Sequence, residues 1–185
     1  MKRFLSLGLV LAVALALSAS ASTFVAQSQD DLLRESTAVV EGTVLTVDSF
    51  WNETNQIIVT EAQVQIDDEI LGKADSIVTV RTYGGEVDGF RVEAHGFPTF
   101  EPDQKVLMFL QPDDHGTHKV TGYQQGLYRV VENDAGVAMA IPAVELETNL
   151  VTLDGLKASL PAAQNLDELK TSILDDAADA GLIHR

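Results

Sequence analysis

The sequence predicts a mainly β fold: a small antiparallel closed barrel or a sandwich, with a short N-terminal helix and a C-terminal amphipathic helix. Three observations carry that expectation. Residues 56–71 alternate, with Ile58, Thr60, Ala62, Val64 and Ile66 on one side and Val59, Glu61, Gln63, Gln65 and Asp67 on the other, the period-two signature of a half-buried strand. Residues 37–50 form a second long apolar run whose phase slips between Val44 and Leu45, near Gly42, as a strand does at a bulge or bend. Further short runs follow at hairpin spacing, and only residues 165–185 read as a long amphipathic helix.

The chain opens with an export signal. Lys2 and Arg3 precede an apolar run over residues 4–17, broken only by Ser6 and Gly8, and Ala19-Ser20-Ala21 supplies the small residues that a signal peptidase reads. A membrane-spanning helix needs about 20 apolar residues, more than this run offers. Cleavage after Ala21 and release into the periplasm or the medium are therefore expected. Residues 22–37 make a small polar leader and a short helix over 29–35, capped by Ser28, with Asp30 and Asp31 at its positive end.

The β domain is expected over residues 38–141. A turn at 51–55 joins its two long strands, and Gly72-Lys73-Ala74-Asp75 ends the second. Residues 76–83 form a third strand, Gly84-Gly85 a tight turn, and 87–94 a weak strand. A loop rich in Gly, Pro and aromatics fills 96–103. Within 105–111, Val106-Leu107-Met108-Phe109-Leu110 is apolar without a break, so this strand is covered on both faces and central. Short strands at 119–123 and 126–132 precede the turn Asn133-Asp134-Ala135-Gly136 and a return strand at 137–141. A long bent first strand paired with a long second is how an OB-like barrel closes, because the first strand serves both halves of the sheet.

Residues 142–164 lack clear periodicity and read as a linker with a short helix near 153–160. The final helix starts at Asn165 as N-cap, with Glu168 three residues on. Leu166, Leu169, Ile173, Leu174 and Ala177 form its apolar stripe, and Gly181 is its stop.

Composition narrows the chemistry. The 185 residues hold 12 Lys+Arg, 28 Asp+Glu and no Cys, a net charge of −16. Loss of Lys2 and Arg3 with the signal leaves 10 cations against 28 anions, or −18. Without Cys there is no disulfide framework, no thiolate nucleophile and no Cys-ligated metal. Without a basic cluster nucleic acid is not the expected partner, and such acidity repels an anionic membrane once the signal is gone.

Catalytic patterns are sparse. Asp113-Asp114-His115-Gly116-Thr117-His118 places two imidazoles beside two carboxylates, and with His95 these could ligate a transition metal. A solvated, hydrogen-bonded turn is the preferred reading. No Gly-x-Ser-x-Gly elbow and no phosphate loop is present. The carboxylate pairs Asp67-Asp68, Asp113-Asp114 and Asp175-Asp176 read as solvated surface charge, with Ca²⁺ as the alternative. Trp51, Tyr83, Phe97, Phe100, Tyr123 and Tyr128 are the aromatics that could form a recognition patch, several of them at strand ends or in loops. The first four are the binding candidates, because aromatics supply contact area at low entropic cost; capping the ends of the core is the preferred reading of the set.

Gly96-Phe97-Pro98-Thr99-Phe100, the acidic turn through Asp103 and the strand ending Phe109-Leu110 resemble a pattern of small exported bacterial proteins of unknown function. Val39-Val40-Glu41-Gly42-Thr43-Val44, Trp51, Gly84-Gly85 and Gln125-Gly126-Leu127-Tyr128 extend the resemblance over residues 38–131. The pattern has Gly where this chain has Asp103. That family is similar in outline to the OB-type domain of metalloproteinase inhibitors, which depend on an N-terminal Cys and disulfides that this chain lacks. The resemblance implies a fold more than an activity.

The resulting expectation is an exported, non-enzymatic binding or accessory domain, without a cofactor and without assigned catalytic or metal-ligating residues, whose partner is a secreted protein. The alternatives are a metal-dependent hydrolase built on His95, His115 and His118, and an inhibitor of a secreted protease.

Overall fold

Alternation along the strands and the phase slip in the first long strand together determine how the sheet closes. The structure is a computed structural model and describes residues 23–54, 56–145 and 148–183; the expected export signal lies outside them, as does His184. In chain order the elements are β1 (Thr23–Val25), α1 (Gln29–Glu35), β2 (Ala38–Trp51), β3 (Ile58–Gly72), β4 (Ile77–Tyr83), β5 (Gly85–Val87), β6 (Phe90–Val92) and β7 (Lys105–Pro112). There follow β8 (His118–Val120), a 3₁₀ turn (Tyr123–Gly126), β9 (Leu127–Glu132), β10 (Ala138–Pro142), β11 (Asn149–Val151), β12 (Gln164–Asn165) and α2 (Leu166–Asp179).

Strands β2, β3, β4, β8 and β7 close into a five-stranded mixed barrel. Its order is that of an OB-type barrel, the third barrel strand running parallel to the fifth where Val80 pairs with His118. The other barrel pairings are antiparallel. β9, β10 and β12 extend the sheet outward from β7. With 46% strand and 16% helix the fold is mainly β, as expected.

The phase slip is a bulge. Val44 pairs with Val64 and Thr46 with Gln63, so Leu45 has no opposite residue and stands 40% exposed. Beyond that point β2 turns away from β7, with which it pairs only over Ala38–Thr43. The bend is what lets one strand serve two sides of the barrel.

The unbroken apolar run in β7 has the reason that its pattern implies. Val106, Met108 and Leu110 point into the barrel with Val40, Val44, Ala62, Val64 and Val80. Leu107 and Phe109 point outward, under Leu32 and Leu33 of α1 and Leu169, Ile173 and Ala177 of α2. A strand buried on both faces has no polar positions to alternate.

Both helices start as the sequence predicts. Ser28 and Asp31 form a reciprocal capping box on α1. Asn165 accepts from the backbone N–H groups of Asp167 and Glu168. Leu166, Leu169, Ile173 and Ala177 are buried, but Leu174 is 37% exposed and lies off the stripe assigned to it.

Four expectations need correction. The expected linker at 142–164 contains strand: β11 pairs in parallel with β1 of the leader, and β12 begins at its end. No helix forms at 153–160. Thr152 closes a turn there, its hydroxyl meeting the Leu156 N–H at 3.2 Å, while Leu153 and Leu156 are 94% and 65% exposed and offer no apolar side to pack. The weak strand at 87–94 is the second half of a hairpin, β5–β6, turned by Asp88 and Gly89 with φ of 51° and 80°, the two positive angles of a type I′ turn. Finally, the strand expected at 119–123 ends at Val120, and Tyr123 (φ 59°) begins the 3₁₀ turn.

Candidate functional site

The loop between β4 and β7 folds over one mouth of the barrel, and the aromatic side chains gather there. Tyr83, at the end of β4, meets Phe97 edge-to-face with ring centroids 5.1 Å apart. Phe97 meets Tyr123 at 5.0 Å, and Tyr123 meets Phe24 of β1 at 5.5 Å. The four rings form a continuous ridge in which Tyr83 is 51% and Tyr123 47% exposed. The backbone of Gly96 touches the Phe24 ring so closely that an added Cβ would sit 2.0 Å from it.

Trp51 belongs to a separate pair. At the end of β2 it packs against Phe90 of β6, centroids 6.1 Å apart, and Phe90 is 65% exposed. Phe100 is 7% exposed and joins the barrel core; it closes the floor of a cleft and does not stand on the surface. Of the four binding candidates, then, Tyr83 and Phe97 touch, Trp51 lies apart, and Phe100 is a core residue. Sequence reasoning gave no binding role to Phe24 or Phe90, whereas Tyr123, one of the aromatics it singled out for a recognition patch, does stand on the ridge. Phe24 reaches the ridge only through pairing between chain ends.

Two cavities flank the ridge and share Thr82, Tyr83 and Pro98. The larger, about 580 Å³, lies between β2, β3 and the β5–β6 hairpin. Its position depends on Gly85, whose φ of 125° and close approach to Ser49 and Thr60 leave no room for a Cβ. Thr60 donates to the Gly84 carbonyl at 2.6 Å, Ser49 lies 2.8 Å from the Thr60 hydroxyl, and Thr82 donates to the Pro98 carbonyl at 2.9 Å. Glu86, Glu93 and Glu145 stand around the opening with Arg91 and His95. Arg91 is 70% exposed and loosely paired, 3.9 Å from Glu86 and 3.4 Å from Glu93. His95 lies 3.8 Å from Glu145.

The smaller cavity, about 410 Å³, is lined by Arg81, Phe97, Tyr123 and the β7–β8 turn. Asp113 organises that turn, accepting from the N–H groups of His115 at 2.8 Å and Thr117 at 3.0 Å. Partial burial pushes the Asp113 carboxyl up, but the Thr117 side chain beside it and these backbone N–H groups outweigh that and hold it below the usual carboxylate range.

The three histidines do not assemble. His95 lines the larger cavity and His115 the smaller, while His118 sits in β8 opposite Val80 and Pro112. Among the described residues no group of three or more His, Asp or Glu side chains is placed to hold a metal ion, so the ligand set of the hydrolase alternative is not formed.

Support for the site comes from two adjacent glutamines in the 3₁₀ turn. Gln124 donates to the Phe97 carbonyl at 3.4 Å and accepts from the Glu145 N–H at 3.1 Å. Gln125 accepts from the Gln27 N–H at 2.9 Å and donates to the Val25 carbonyl at 3.0 Å. One side chain ties down the ridge loop and residue 145, the other the N-terminal strand. Both are buried, at 4% and 8% exposure. Compared with known proteins, the chain matches no family model, no curated protein and no solved structure.

Proposed function

We propose that this is an exported, non-enzymatic binding domain that grips a secreted protein through the ridge of Tyr83, Phe97 and Tyr123. The observation that carries the reading is the contact chain of those rings, half-exposed at Tyr83 and Tyr123 yet held in place from below. Pre-set aromatics lose little entropy on binding and dominate the energetics of protein contacts. The two flanking cavities offer sockets for a partner's side chains. Export rests on the signal pattern in residues 1–21, and the released chain should begin at Ser22 when its N-terminus is sequenced.

The test is capture. The chain beginning at Ser22 is immobilised, exposed to the extracellular fraction of the cells that make it, and the retained protein is identified, purified and titrated directly. Tyr83→Ala with Tyr123→Ala should weaken that titration at least about tenfold, a loss ordinary for two central aromatics, with unchanged circular dichroism. Undiminished affinity in the double variant would remove the ridge from the reading. Slowed turnover of a retained protease would assign the domain as an inhibitor.

A further inference from the structure

We infer that the larger cavity is a socket for a lysine or arginine side chain, presented by a basic segment of the partner. The inference rests on the protein-binding reading above and adds the chemistry of what is recognised. The hydroxyls of Ser49, Thr60 and Thr82 in the cavity lining have no proton to spare. Thr60 and Thr82 spend their hydroxyl protons on the carbonyls of Gly84 and Pro98. With the Thr60 proton committed, the contact to Ser49 is made by the Ser49 proton. What these hydroxyls have left is lone pairs. An ammonium or guanidinium group is the complement, since it carries donors only.

Charge points the same way. Glu86, Glu93 and Glu145 reach the cavity from β5, from the end of the β5–β6 hairpin and from beyond β10, against one permanent cation, Arg91, and the His95 imidazole 3.8 Å from Glu145. Arg91 holds its two carboxylates at long range from an exposed position, so an incoming cation displaces little. The wall carries the half-exposed Tyr83 ring, which suits both the aliphatic stem and the charged head of such a side chain. An anionic group entering this cleft would meet three carboxylates in a chain of net charge −18 once the signal is gone.

The experiment is calorimetric titration of the chain beginning at Ser22 with octalysine and with octaglutamate at physiological ionic strength. Acidic proteins bind polycations unspecifically, so two variants with equal charge are compared. Glu93→Gln with Glu145→Gln removes two charges from the cleft; Asp134→Asn with Asp179→Asn removes two exposed charges elsewhere. Octalysine should bind and octaglutamate should not. The cleft variant should bind octalysine about tenfold more weakly and the control variant less than about twofold, since exposed charges away from a contact are largely screened. Equal losses in the two variants would mean bulk acidity alone and would overturn the socket, as would no binding of octalysine. If the socket fails while the ridge substitutions still weaken the captured partner, the binding reading stands with a partner of other chemistry; if both fail, that reading falls too.

Discussion

The backbone N–H of Asp103 donates to the Val44 carbonyl across 2.9 Å, and the Val44 N–H donates to the Gln104 carbonyl across the same distance. The turn that leads into β7 is thus fastened to β2 at the residue beside its bulge. Asp103 has a φ of 65°, the left-handed region where a side chain costs about 1–2 kcal/mol and Asp is better tolerated than most.

Asp103→Gly should therefore raise stability by about 0.5–1 kcal/mol, the relief of left-handed strain offset in part by the freer unfolded chain. Asp103→Val should lower it by about 1–2 kcal/mol, because a β-branched side chain is a genuine outlier at positive φ. Urea unfolding of the three proteins checks the order. A valine variant as stable as the glycine one would mean that the turn opens at no cost.

What the sequence made legible follows from how local each signal is. The caps at Ser28 and Asn165, the bulge after Val44 and the double-sided burial of β7 are each written within a few neighbouring residues. The pairing of β1 with β11 is not: Thr23 meets Asn149, and three-residue strands carry no period. The ridge was half legible for the same reason. Tyr83 and Phe97 belong to one loop, whereas Phe24 arrives from the other end of the chain. For Phe100 the sequence leaves both binding and core capping open, because a loop aromatic near two prolines carries no period; the loop folds over the barrel mouth and turns it inward.

Gln125 should prove to be what holds that distant contribution in place. Its amide group serves both the Gln27 N–H and the Val25 carbonyl. Gln125→Leu keeps the size but removes both bonds, which costs about 1–3 kcal/mol for the polar groups stranded. The loss should be local, because β1 is otherwise held by three register pairs and a bond from the Ala26 N–H to the Val151 carbonyl at 2.7 Å. Hydrogen exchange should accelerate at residues 24–27 and stay unchanged in β7 and β9. Uniform acceleration across the barrel would show that β1 is part of the global folding unit.

Lys170 does for the C-terminal helix what Gln125 does for the N-terminal strand. Its ammonium group bonds Glu41 of β2 and, at 2.9 Å, Asp68 of β3, clamping α2 to the outside of the barrel. Lys170 is 21% and Glu41 16% exposed. Partial burial pushes the ammonium pKa down, but the bonds to the two carboxylates and their charges outweigh it and hold the pKa above the usual lysine value. A basic group whose pKa is raised on folding stabilises fully below its unfolded value, about 10.4, and stops contributing as pH rises through the folded one. Lys170→Met leaves Glu41 half-buried without its partner and should cost about 2–3 kcal/mol at pH 8, below the range for fully buried pairs because water reaches this one. From about pH 10.4 up to the higher folded pKa the gap between the parent and the variant should shrink, because the unfolded lysine gives up its proton first. Urea unfolding at pH 8 and in that range checks this; a gap that stays constant would mean that the side chain holds α2 by its aliphatic stem and not by its charge.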